Sequence, residues 1–166
     1  MKSMKLPAIV TLLFVLLAAL ALSGCASPTP TATPTPAPTA TPVPAAVLLT
    51  VNGSVATPLS LTLADLKNFT QQTINESTIK STGQTTTAAG TGPSLNAILT
   101  KASPTASAKN ITFTGSDGYT KTILLSIVTG SPNSTVLIQS DGSLKDVIPG
   151  QGSGAWVGNL TTITIS

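Results

Sequence analysis

Residues 26–44 limit what this chain can fold into more than any other feature. Seven of these 19 residues are Pro, and all the others except Ser27 and Val43 are Thr or Ala. Proline fixes φ near −65°, has no amide donor and clashes with a preceding helical turn, so neither a helix nor a central strand passes through. No apolar period is present to bury. The tract reads as an extended polyproline II-like tether, at most about 60 Å long at about 3.1 Å per residue. Thr beside Pro is also the composition of O-glycosylated stalks, and an unmodified spacer fits it equally. Folding is therefore left to residues 45–166. These 122 residues suffice for one domain with a single core.

The segment before the tether reads as an address. Lys2 and Lys5 precede an apolar run at residues 8–22 that only Thr11 interrupts. The run is about 15 residues long, short of the roughly 20 that a membrane-spanning helix needs, and fits a secretory signal. Leu22-Ser23-Gly24-Cys25 resembles a lipobox, the small-residue site after which a lipoprotein Cys is lipidated. Cys25 is the only Cys in the chain, and an unpaired thiol is a liability in an oxidising compartment. The expected organisation is a lipoprotein signal peptide at 1–24, a lipidated Cys25 with its Pro/Thr-rich tether at 25–44, and a folded domain at 45–166. An uncleaved apolar anchor with an incidental Cys is the alternative. Either way the chain is expected outside the cytoplasm, with the membrane as its first partner.

The residue inventory excludes several chemistries. The chain has no His, no Arg and one Cys. Zinc, haem and iron–sulfur sites of ordinary ligand type cannot form, nor can a Ser-His-Asp or Cys-His group. Bidentate Arg forks for phosphate or carboxylate are missing. The sequence pI near 9.3 depends partly on Lys2 and Lys5. Residues 45–166 hold six Lys against five acids, which gives no electrostatic case for nucleic acid. The five acids suggest neither a calcium loop nor a catalytic carboxylate pair. No catalytic residue and no metal site is expected.

The folded part reads as mixed strand and helix. Residues 47–51 are β-rich and precede the turn signal Asn52-Gly53, and residues 58–61 can pair back. Thr62 can cap a short helix ending near Phe69, with Asp65 three residues into it and Leu63 and Leu66 on one face. Residues 71–80 and 84–88 read as two exposed strands joined at Gly83. Gly92-Pro93-Ser94 is expected to open a second helix, with Pro93 in its first turn, Leu95, Ile98 and Leu99 as its stripe, and Pro104 as its stop. Residues 110–114 and 119–125 form a hairpin around Gly115-Ser116-Asp117-Gly118. One helical turn follows at 126–130 and a short strand at 135–139. The tail at 160–166 alternates as a strand, with Leu160, Thr162 and Thr164 opposite Ile163 and Ile165. The expected fold is α+β, a mixed sheet with two or three short helices.

The order of these pieces resembles the molybdopterin-binding domain of the sulfite oxidase family. The matching pieces begin with Val51-Asn52-Gly53, Leu61-Thr62-Leu63-Ala64-Asp65-Leu66 and Gly92 through Leu99. They continue with Phe113-Thr114-Gly115-Ser116-Asp117-Gly118-Tyr119 and with Val136-Leu137-Ile138 before Asp141-Gly142. Val147-Ile148-Pro149-Gly150, Trp156 and Ile163-Thr164-Ile165 complete the series. The resemblance implies that family's fold and, through it, a molybdopterin cofactor. It also implies a Cys thiolate on molybdenum, with Arg and His holding the pterin phosphate and an anionic substrate. Residues 45–166 contain none of these three residue types. The region between the first two helices, where the family carries cofactor loops, is short, and so is the stretch after Asp141-Gly142.

Three residues are candidates for a pocket. Asp117-Gly118-Tyr119 either places the Tyr119 hydroxyl at a pocket edge or simply turns a hairpin whose Tyr caps the core. Trp156, after Gly150, Gly152 and Gly154, is either a ligand platform or the core anchor of the last strand. A separate pattern is the triplet Asn-x-Ser/Thr at Asn52, Asn68, Asn75, Asn110, Asn133 and Asn159. Only Asn96, of seven Asn in the folded part, lies outside one. Ser and Thr fill about 30% of these positions, so about two triplets are expected by chance. N-glycosylation explains the excess, as does the joint preference of Asn, Ser and Thr for turns. The expected function is a lipid-anchored, non-catalytic surface module that binds a surface protein or small ligand. The alternatives are a molybdopterin-dependent oxidoreductase component with unusual ligation and a structural envelope protein.

Overall fold

The computed structural model describes residues 45–80 and 82–166. The segments at 1–24 and 25–44, with Cys25, lie outside the described residues. Among the described residues no helix is long and apolar enough to cross a membrane.

Strand alternation builds the main sheet. Its five strands are β1 (Val47–Gly53), β2 (Leu59–Thr62), β5 (Asn110–Gly115), β6 (Thr120–Leu124) and β9 (Leu160–Ile165), in the order β2-β1-β9-β5-β6. The C-terminal strand β9 enters the middle, parallel to β1 and antiparallel to β5. Val51, Ile163 and Phe113 align in register across three strands and are fully buried. On the other face Thr50, Thr162, Thr114 and Thr120 align in one row, and Asn52, Thr164, Thr112 and Thr122 in the next. The period of two thus separates an apolar face from a hydroxyl face.

The tail departs from simple alternation. Thr114 faces Thr162 but Gly115 faces Leu160, so Thr161 is an extra residue in β9. This bulge returns Leu160 to the core face, where it is 2% exposed beside Ile163 and Ile165. The expected placement of Leu160 opposite Ile163 and Ile165 is therefore corrected.

Three helices cover the apolar face. In α1 (Leu63–Asn68) the Thr62 hydroxyl accepts from the Asp65 amide while the Asp65 carboxylate accepts from the Thr62 amide at 2.9 Å. This reciprocal cap lets a six-residue helix form, and its Leu66 is fully buried. Helix α2 (Leu95–Ala102) buries Leu95, Ile98, Leu99 and Ala102, and α3 (Leu125–Thr129) buries Val128.

Two further hairpins lie outside the main sheet, one between α1 and α2 and one after α3. Strands β3 (Gln71–Ile79) and β4 (Thr85–Pro93) pair without a slip from Gln71↔Pro93 to Ile79↔Thr85. Pro93 therefore ends a strand and does not open α2, whose first residue is Leu95. Gly92 explains the extension: a Cβ there would sit 2.0 Å from the Val136 carbonyl oxygen, so only glycine lets the strand run this close. Strands β7 (Thr135–Ile138) and β8 (Leu144–Val147) form the other hairpin. The sequence did not suggest β8, because Asp146 interrupts its apolar residues.

The core has two parts. The larger lies between the main sheet and the helices. The smaller gathers Ile74, Ala88, Leu137, Val147, Ala155 and Trp156. Neighbours in β7 serve different parts, Val136 the first and Leu137 the second, so this strand is buried on both faces.

Candidate functional site

Asp117, Gly118 and Tyr119 form the β5–β6 turn. Gly118 adopts φ 81°, a left-handed conformation suited to glycine, and Asp117 Oδ1 accepts from the Tyr119 amide at 3.0 Å. Tyr119 is 48% exposed, and its hydroxyl donates to the Gly154 carbonyl at 2.8 Å. Tyr119 thus ties the hairpin turn to the Gly-rich loop and does not cap the core. Trp156 lies in a different environment. It is 6% exposed within the smaller core, and its indole N–H donates to the Ile148 carbonyl at 3.2 Å. The Lys145 ammonium lies 5.6 Å from its ring centroid. Protein groups therefore occupy the surfaces a ligand platform would offer.

A cavity of about 630 Å³ opens elsewhere. Its walls come from Leu48 at the start of β1, Leu63 and Ala64 at the start of α1, and the Asp141-Gly142 turn between β7 and β8. Most of the wall is apolar, with Lys67 and Asp141 supplying opposite charges. The Ser143 hydroxyl and amide hold the Asp141 carboxyl below the usual carboxylate range, and the amide contact is 2.9 Å. Such a lining suits a small, largely apolar molecule with a polar end. No local motif could announce it, because a strand start, a helix start and a distant turn build it together.

Asp146 is a second feature that its sequence position did not distinguish. It is fully buried on β8, and Oδ1 accepts from the Val157 amide. Oδ2 has no partner among the described residues. Burial pushes the carboxyl up to about 8, against the opposing pull of the Val157 amide, so it is protonated at neutral pH. Among the described residues no three His, Cys, Asp or Glu side chains gather into a metal-binding group.

The six Asn triplets scatter. Asn68, Asn75, Asn133 and Asn159 are exposed, while Asn52 and Asn110 are half-buried.

The family model for the oxidoreductase molybdopterin binding domain matches residues 35–166, beginning inside the Pro/Thr tract. No curated protein matches the chain. Among solved structures the chain is similar to the sulfane dehydrogenase SoxCD from Paracoccus pantotrophus, with a TM-score of 0.62 and 18% identity. The match covers 70% of this chain and 37% of the SoxCD chain, so the likeness is one of fold over a little more than a third of that protein.

Proposed function

Because the chain belongs to the oxidoreductase molybdopterin-binding domain family, we propose that it keeps the family's fold as a binding module at the cell surface, without the redox chemistry. The α+β architecture with its mixed sheet is that of the family. The residues present do not fit the cofactor. Molybdenum needs a soft thiolate, and residues 45–166 contain no Cys. The pterin phosphate has no Arg or His to hold it. Between α1 and α2, where the resemblance places cofactor loops, lies the β3–β4 hairpin with all nine pairs in register. Asp146 is buried with one oxygen unpartnered among the described residues, burial pushes its carboxyl up to about 8, and among those residues no three His, Cys, Asp or Glu side chains gather into a metal-binding group.

The missing donor set carries the proposal. The module would be held to the membrane by a lipid on Cys25 and displaced from it by the tether. Its ligand contact would be the cavity between Leu63 and Asp141. The second reading, an oxidoreductase component with unusual ligation, draws on the family match itself. Metal and pterin analysis of the full chain, purified from its native membrane, separates the two. We expect a colourless protein without molybdenum or tungsten; stoichiometric metal with a pterin overturns the proposal. Labelling with a radioactive fatty acid, lost in Cys25→Ala, tests the anchor. For the ligand contact, a library of small apolar acids and amines is screened by thermal shift. Stabilisation abolished by Leu63→Trp supports the cavity; stabilisation that survives the filled cavity argues against it.

A further inference from the structure

Turn chemistry accounts for only part of the Asn-x-Ser/Thr excess. It explains Asn159, which holds φ 48°, a left-handed conformation that Asn tolerates. It does not explain Asn75 or Asn110, which lie within β3 and β5, where Asn is disfavoured. Asn52 has a structural role, its Oδ1 accepting from the Thr164 hydroxyl at 2.9 Å. Asn96 is the one Asn of the domain outside a triplet, and its carboxamide is built into the fold. Its Nδ2 donates to the Ser131 carbonyl at 3.1 Å and its Oδ1 is buried. Among the described residues the side chains of Asn68, Asn75 and Asn159 make no hydrogen bond. These three are exposed, and so are the hydroxyl residues completing their triplets, Thr70, Ser77 and Thr161. Asn133 is exposed too, but its Thr135 is fully buried and donates to Gln72 Oε1 at 2.9 Å.

We propose that Asn68, Asn75 and Asn159 carry N-linked glycans. The donor is an oligosaccharide joined through phosphate to a membrane lipid. The Asn Nδ2 attacks the anomeric carbon and forms the C–N bond. The C–O bond to the lipid phosphate breaks, the phosphate leaves with the electron pair, and the amide proton passes to a base of the transferase. The modification rests on the extracytoplasmic placement proposed above and is independent of any pterin.

The test is glycopeptide mass mapping of the full chain from its native membrane. The same chain made in a cytoplasm lacking such a transferase gives the mass baseline. We expect sugar mass on the peptides holding Asn68, Asn75 and Asn159. The intact mass should fall by one glycan in Asn68→Gln and again in Asn75→Gln, while Asn96→Gln leaves the glycan mass unchanged. Unmodified peptides at these three positions overturn the proposal, as does modification confined to Asn52, Asn110 or Asn133. Protease shaving of intact cells runs in parallel. A chain that is shaved but unmodified sinks the glycosylation and leaves the surface placement standing; a chain neither shaved nor modified sinks both.

Discussion

Asp146 shows how one residue sets a pH dependence. In the unfolded chain its carboxyl loses a proton near 3.8, whereas in the folded chain it keeps the proton to about 8. Between these values unfolding releases a proton, so this residue makes stability fall as pH rises. Its penalty is absent below the unfolded value and fully developed above the folded one. The window is clean because the chain has no His, and the half-buried Asp65 and the exposed Asp141 are shifted the other way. Asp146→Asn keeps an oxygen for the Val157 amide and does not titrate. Urea unfolding at pH 4.5 and pH 8 should therefore show a smaller stability loss in the variant, and the variant should be the more stable protein at pH 8. Equal losses in both would contradict the buried neutral carboxyl. Gly92 makes the opposite demand, for space. In Gly92→Ala the new Cβ meets the backbone of Val136 and Leu137 at 2.0 and 2.8 Å, and neither can move alone. A loss of about 3 kcal/mol is expected in urea unfolding. Neither role was legible locally, since nothing beside Asp146 in the sequence signals burial and Gly92 reads as a helix opener until β7 and β8 are placed beside them.

Elements differ in how much of their stability is local. Helix α1 is too short to persist by propensity, and Thr62 with Asp65 satisfies amides at its start. Thr62→Ala should cost about 1 kcal/mol in urea unfolding. That helix was legible because capping depends on residues three apart. Strand β9 depends on distant partners. Ile163 is fully buried between Val51 and Phe113, so Ile163→Ala should cost about 2–5 kcal/mol by the same measurement. The strand character of β9 was legible from its β-branched residues. Its central position, and the Thr161 bulge that turns Leu160 inward, come from pairing with chain more than 40 residues away, as the Gly115↔Leu160 register shows.

At the scale of the whole molecule, the two parts of the core share strands β7 and β8. Val136 and Leu144 pack into one, Leu137 and Val147 into the other. The smaller part contains Trp156, the chain's only Trp, and so carries its own optical reporter. Loss of the smaller core would expose one face of strands whose other face packs the larger. Trp fluorescence and far-ultraviolet circular dichroism should accordingly report one urea midpoint. Separate midpoints would show that the β3–β4 hairpin and its core melt independently.

The sequence alone determined the α+β class, the family resemblance and the lack of thiolate, imidazole and guanidinium donors in residues 45–166. Each depends on composition, on short-range periodicity or on the order of local signatures. Tertiary structure alone decided that Tyr119 and Trp156 occupy separate surroundings and that the cavity lies between Leu63 and Asp141. It also decided that Asp146 is buried and neutral, and which Asn triplets stand clear of the fold. All of these depend on which distant segments become neighbours, and the burial that fixes a group's charge or access is a property of that assembled neighbourhood.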